Sequence, residues 1–221
     1  MPRQYRTLGE LRAEMRAVLG AASAGAAAGP NATLIDTHLR NAQTLLYWTH
    51  DWAHLRKYAL KTLGQHATRI DYPTDGNGCN PDRVRYVSVL RGGVWSPPLK
   101  KGITPSMYTY QTNYSWPQRW EPYDQLEFWP AADQEYSTRI FFIENLARFT
   151  QDGDRASLDD TAICLVATAT LKAHYRQPDA AISQKASDTL VMNLKAKSWG
   201  QDVFKPNDWI ESEPLVRPQT V

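Results

Sequence analysis

His50-Asp51-Trp52-Ala53-His54 sets two imidazoles four residues apart, a spacing at which both would share one helix face and could ligate a single Zn²⁺. A hydrolase built on them would use the intervening carboxylate as general base, but Asp51 is shorter than the glutamate of the H-E-x-x-H pattern. The helical apolar period fades inside the motif, and no third ligand stands at a metal spacing. A surface or interhelical histidine pair is the commoner use of this spacing. A metal-dependent hydrolase on His50 and His54 is therefore kept as an alternative, and no metal or cofactor is expected.

Cations interleaved with aromatics offer a second chemistry. Arg83, Arg85, Tyr86 and Arg91, then Lys100 and Lys101, could touch phosphates, although such clusters more often form a solvated face. The formal charge of +2 and the pI near 8.5 lack the basic excess that marks a stand-alone nucleic-acid-binding module. That module is a further alternative. A few arginines per subunit gain weight only when symmetry repeats them around a channel.

Other catalytic signatures are missing. The chain has no G-x-G-x-x-G, no G-x-x-x-x-G-K-[ST] and no G-x-S-x-G. Asp75-Gly-Asn-Gly-Cys-Asn-Pro-Asp82 lacks the alternating ligands and closing glutamate of a calcium loop, so it reads as a turn. Asp159 and Asp160, adjacent on a helix, point in different directions and suit the start of that helix better than acid/base work. Cys79 and Cys164 form no metal or disulfide framework. Enzyme activity has no positive support.

The elements that must position these residues follow from apolar period. A hydrophobic content of 42% with 22% charged residues suits a folded chain of one or two domains. The apolar runs at 140–143 and 163–169 are far shorter than a membrane span, and the N-terminus lacks a secretory apolar core, so residence in a cytoplasm is expected. Thr7 and Glu10 make a capping-box spacing before Leu8, Leu11, Met15 and Leu19, predicting a helix that ends near Gly20. Thr33 is the expected cap of a second helix reaching about Trp52.

From Leu55 the period becomes extended. Tyr58, Leu60 and Thr62, then Thr68, Ile70 and Tyr72, predict a hairpin turning at Gly64-Gln65. Residues 84–90 and 94–99 flank Gly92-Gly93 as a second hairpin, and 126–129 and 138–143 read as two more strands. Residues 103–123, rich in Tyr, Trp and Pro, show no period. Ser157 is the expected cap of a helix running to about Arg176, Pro178 breaks it, and a further helix runs from about Ala180 to Gly200. Eight tryptophans and eleven tyrosines are unusual for a chain of this length; interfaces favour both, and filling a β core is the equally weighted reading.

The resulting fold class is α+β: a discontinuous helical bundle of two N-terminal and two C-terminal helices, an inserted antiparallel β-domain and an extended C-terminal tail. The boundaries fall at 1–54 and 149–200 for the bundle, 55–148 for the β-domain and 201–221 for the tail. Asn41-Ala-Gln-x-Leu-Leu, Asp51-Trp52-x-x-Leu55, Tyr72-Pro73-x-Asp75, Arg83-Val84-x-x-Val87, Leu126-x-Phe-Trp-Pro130 and Leu158-Asp-Asp occur in that order. In these patterns the chain resembles the head-to-tail adaptors of tailed bacteriophages, also called gatekeepers or tail tubular protein A-like proteins.

The resemblance covers roughly residues 8 to 195, and departs from the family at 76–81 and 108–123. It implies a non-enzymatic virion protein of the neck, assembled in the host cytoplasm. Such a protein is a homo-oligomeric ring, usually of about twelve subunits, beneath the portal protein, which lengthens the DNA channel and carries the tail or nozzle proteins. It further implies that the C-terminal tail reaches the portal, with Phe204, Trp209, Ile210, Leu215 and Val216 as anchors. The resemblance implies DNA passing without sequence specificity, for which Arg83, Arg85, Arg91, Lys100 and Lys101 are the candidate channel or phosphate contacts by residue type, a solvated face being the commoner use of such clusters.

Overall fold

The computed structural model describes residues 5–19, 32–108 and 114–199. The tail 201–221, with Phe204, Trp209, Ile210, Leu215 and Val216, lies outside the described residues. The fold is mixed α and β. In chain order its elements are α1 Leu8–Val18, α2 Ala32–Thr49, β1 Arg56–Leu63, β2 Arg69–Ile70, β3 Cys79–Arg91, β4 Val94–Trp95, β5 Lys100–Lys101, α3 Pro105–Tyr108, β6 Arg119–Pro122, β7 Leu126–Trp129, β8 Tyr136–Glu144, α4 Asp160–His174 and α5 Ala180–Trp199. They group into two compact units, one built from Met1–Ala53 and Asn145–Gly200, the other on His54–Glu144.

In the helical unit α1 starts where the sequence says it should. The Thr7 hydroxyl accepts from the Glu10 amide at 3.3 Å and the Glu10 carboxylate accepts from the Thr7 amide at 2.8 Å, satisfying two donors that the first turn would leave open. Leu8, Leu11 and Met15 then bury one face. Thr33 does not cap α2. It lies inside the helix, where its carbonyl accepts from the Thr37 hydroxyl at 2.8 Å.

α2 also stops before Trp52. The carbonyl of Leu46 accepts from the Thr49 hydroxyl at 2.9 Å and from the Trp52 indole at 2.8 Å, which occupies the end of the helix with side chains. The cap of α4 lies two residues beyond the expected one. Asp159, not Ser157, accepts from the Ala162 amide at 2.9 Å, while the Ser157 hydroxyl accepts from the Ala147 amide at 2.8 Å. α4 is the buried helix of the unit, with Ala162, Ile163, Cys164, Val166, Ala167, Ala169 and Leu171 inside, and α1, α2 and α5 all pack on it.

The unit is made of two remote segments, and polar side chains stitch them. Gln43 is buried. Its amide donates to the Ala147 carbonyl at 3.0 Å and accepts from the Ser157 amide at 3.2 Å. Arg12 holds Asp36 through two bonds of 2.8 and 2.9 Å and reaches Asp152 with its third nitrogen. Arg6 pairs with Asp160 at 2.8 Å and also with Glu14.

The β unit holds two four-stranded sheets of order β1-β8-β3-β4 and β2-β7-β6-β5. Both contribute to one core, in which Leu63, Val87, Val89 and Ile140 of the first sheet meet Trp120, Leu126 and Phe128 of the second. The expected first hairpin is absent. β1 pairs with β8 and β2 pairs with β7, so Gly64-Gln65 hands the chain from one sheet to the other. The alternation in β1 is present with its faces exchanged: Leu63 is buried and Ala59 partly so, while Tyr58 and Leu60 face outward. The second hairpin is present. Leu90 pairs with Trp95 and Arg91 with Val94, and Gly92 and Gly93 take the positive φ values of 57° and 81° that a two-residue loop of this kind requires.

Truncating Trp120, fully buried with its indole donating to the Leu99 carbonyl at 3.2 Å, should cost ~3–5 kcal/mol in urea unfolding of Trp120→Ala. The helical unit carries a pH dependence. His38 on α2 contacts the Thr170 hydroxyl of α4 at 2.9 Å and stands edge-on to His174, and burial, then the nearby His174, hold its imidazole below the ordinary 6.5. A base held neutral stabilises the fold above that ordinary value and loses its contribution as pH falls through the lowered one. Melting temperature should therefore drop on acidification below about pH 6.5, and His38→Gln should flatten the drop; an unchanged slope excludes His38 as its source.

Candidate functional site

The two histidines do not share a helix face. α2 ends at Thr49, His54 lies in a 3-10 turn, Ala53–Leu55, and the helical spacing that could bring both rings onto one metal is interrupted between them. His50 instead bonds through Nε2 to the Ser198 hydroxyl of α5, with its ring edge-on to Trp52 at 5.3 Å. Among the described residues no group of three or more His, Cys, Asp or Glu could hold a metal ion.

The glycine-rich loop is organised from within. Glu144, at the end of β8 and 6% exposed, accepts from the Asn77 amide at 3.0 Å and from Lys57 Nζ at 2.7 Å. Gly76 takes φ 66°, and a Cβ there would sit 2.3 Å from the Glu144 carboxylate oxygen, so the close approach itself requires glycine. The carboxylate is spent on closing a turn.

The basic residues divide. Arg83 lies in β3 at 7% exposure and is not presented to a ligand, which corrects its reading as a phosphate contact. Arg85, Arg91, Lys100 and Lys101 are exposed. β5 runs parallel to β6, which sets Lys100 beside Arg119 and Lys101 beside Trp120. Lys101 Nζ stands 5.5 Å from the Trp120 ring centre, Arg91 stands 5.4 Å from that of Trp116, and Arg119 donates to the Gly102 carbonyl at 3.1 Å. Trp116, Lys100 and Arg119 line one cleft of about 230 Å³ with Pro97, Pro98 and Gln118.

Arg119 and Trp116 complete this cluster, and neither is marked as a site by the sequence. The only signal for them is composition, since both fall in the aperiodic stretch that leads into β6. The arrangement can hold an anion between cations and offer an indole face for stacking. The cleft lining contains neither carboxylate nor histidine, so it supplies no obvious acid/base pair.

A second surface has interface composition. On the outward face of the first sheet Tyr86 stacks on Phe141 at 4.1 Å and Phe141 meets Tyr58 at 5.6 Å, a row of rings across three strands. Beside it the Arg139 guanidinium lies 4.0 Å over Trp95, and its Nε is buried with no hydrogen-bond partner among the described residues. Tyr58 and Leu60 are 61% and 59% exposed. The helical unit likewise exposes Leu45 and Trp48 on α2 and Ile182 and Met192 on α5. Arginine with tyrosine and tryptophan is the mixture that carries interface energy. No protein-family model matches the chain, and no curated protein matches it.

Burial pushes the Cys79 and Cys164 thiols up to about 12, so a thiol reagent at about pH 8 should label the native protein only at the rate of its unfolding. Labelling that outpaces global unfolding would show an opening at either site. For the cationic cleft, the triple variant Lys100→Ala, Lys101→Ala, Arg119→Ala should flatten the salt dependence of duplex DNA binding, by about 0.9 in log–log slope for each phosphate no longer neutralised. Arg83→Ala should leave that slope unchanged, because the residue is buried.

Proposed function

We propose that this protein is the head-to-tail adaptor of a tailed bacteriophage. On this reading it is a ring subunit in the virion neck that extends the DNA channel beneath the portal and presents a platform for the tail. The observation that carries the reading is the exposure of large apolar and aromatic side chains on both units: Tyr58 and Leu60 on the β unit, Leu45, Trp48, Ile182 and Met192 on the helical one. A closed ring needs two different sticky patches on every subunit, because each copy docks the front of one neighbour and the back of the other. The ordered motifs that resemble those of the adaptor family point the same way.

In this reading the helical unit is the discontinuous bundle and the β unit its insertion. The cleft lined by Lys100 and Arg119, with Arg91 and Lys101 as further exposed cations, meets phosphates of passing DNA without sequence specificity. The tail 201–221 docks on the portal through Phe204, Trp209, Ile210, Leu215 and Val216, whose apolar bulk supplies anchoring contacts.

Electron microscopy of purified portal mixed with the protein tests this: a ring of added density with an open axis is expected on the portal. Removing 201–221 should abolish that docking while leaving the circular dichroism of the remaining chain unchanged. A protein that stays monomeric and indifferent to portal overturns the reading.

A further inference from the structure

Arg6 and Arg12, both partly buried, are answered by carboxylates: Arg6 pairs with Asp160 and Arg12 with Asp36. Arg139, also partly buried, is not. It lies in β8 opposite Leu60 of β1 on one side and Ser88 of β3 on the other, on the outward face of the first sheet. Among the described residues no carboxylate pairs with it, and its buried Nε has no hydrogen-bond partner. A charge set partly out of water without a counter-ion is costly, and proteins rarely leave one so.

Aromatic rings hold the guanidinium in place. Its central carbon stands 4.0 Å from the Trp95 ring centre, 5.7 Å from that of Tyr58 and 6.0 Å from that of Phe141. A guanidinium stacked on an indole uses its face, and its N–H bonds, which lie in its own plane, stay free for an acceptor. The acceptor that matches that planar fork best is a carboxylate, which can take two parallel bonds from it.

The surroundings say what should carry the carboxylate. Tyr58 and Leu60, on the same face as Arg139, are 61% and 59% exposed, so an occupant must cover apolar surface as well as answer a charge. A nucleic-acid backbone brings negative charge but leaves Leu60 in water. A second copy docked through this same face brings another guanidinium and no acid, because the paired strand positions on it, Tyr58, Leu60, Tyr86, Ser88, Arg139 and Phe141, include neither Asp nor Glu.

We propose that the outward face of the first sheet docks a segment of a partner protein that sets one aspartate or glutamate on the free edge of Arg139 and covers Tyr58 and Leu60 with apolar side chains. Arg139 is the anchor, because its rigid fork is already oriented by Trp95 before the partner arrives. The site rests on this face alone and stands whether or not the chain is an adaptor.

The probe is a capped hexapeptide of leucines around a single glutamate, mixed with the full-length protein and followed by ligand-observed NMR; its counterpart carries glutamine in place of the glutamate. The glutamate peptide should bind about tenfold more tightly than the glutamine one, the difference that a charge-assisted bond supplies. Arg139→Met, which keeps the apolar stem, should erase that preference, and Arg139→Lys should keep only part of it. The glutamine peptide leaves the protein untouched, so the comparison holds even if a variant fails to fold. The proposal is overturned if the glutamate peptide does not bind at millimolar concentration, if the two peptides bind equally, or if the preference survives in folded Arg139→Met. It also fails if duplex DNA displaces the glutamate peptide from the unaltered protein but not from Arg139→Met, which would make the site a phosphate contact.

Discussion

Arg56 stands opposite Ile143, and from that pair β1 and β8 run antiparallel through matched positions to Leu63 and Tyr136. The β unit thus begins and ends at the same end of one ladder. A chain that leaves α2 and returns before α4 can only rebuild its helical layer if the excursion closes on itself, and this pairing performs that closure. β8 has β3 on its other side, so a single strand near the end of the excursion aligns the first strand with the third. Such distant pairing carries loop-closure entropy, which grows only slowly with loop length and is offset here by the burial of Ile140, Phe142 and Ile143.

Once the two ends are adjacent, the helical unit can be held by short-range chemistry. Gln43 joins α2 to the segment that follows β8 by satisfying one backbone donor and one acceptor from a buried position. A buried amide left half-satisfied would cost about 1–3 kcal/mol, so this residue favours one alignment of the two segments over its neighbours. Arg12 adds direction, because its planar fork donates two bonds to the Asp36 carboxylate and still reaches Asp152. The apolar faces of α1 and α2 supply the bulk of the burial; these polar contacts select the register in which it occurs.

The helices are legible in the sequence because their signals are local. Thr7 and Glu10 mark the start of α1, and the apolar face of Leu8, Leu11 and Met15 is the buried one. At α4 the cap falls on Asp159 because Ser157 has a competing backbone donor in Ala147, a partner remote from the helix start. Strand character is legible too, but strand pairing is not. Gly64-Gln65 carries a good turn signal, yet β1 joins β8 instead of folding back on β2, with Leu63 in one core with Ile140 of its own sheet and Trp120 of the other. At the cationic cleft, Arg91, Lys100 and Lys101 are visible by type. Arg119 arrives through a two-residue parallel pairing too short to have a period, and Arg83 is taken out of play by burial, which charge alone does not reveal.

The guanidinium of Arg139 has a consequence for how the free protein behaves. Lying over Trp95 with Tyr58 and Phe141 nearby, it keeps a hydrated charge in the middle of a surface that would otherwise be oily, which restrains indiscriminate sticking. Its buried Nε has no acceptor among the described residues, a deficit of about 1–3 kcal/mol. The residue as a whole is only partly buried, so a partner that offers oxygens keeps the guanidinium solvated, whereas a purely greasy surface strips its water and adds to the deficit. The same side chain therefore acts as a filter, admitting partners on chemical terms and turning away those that offer grease alone.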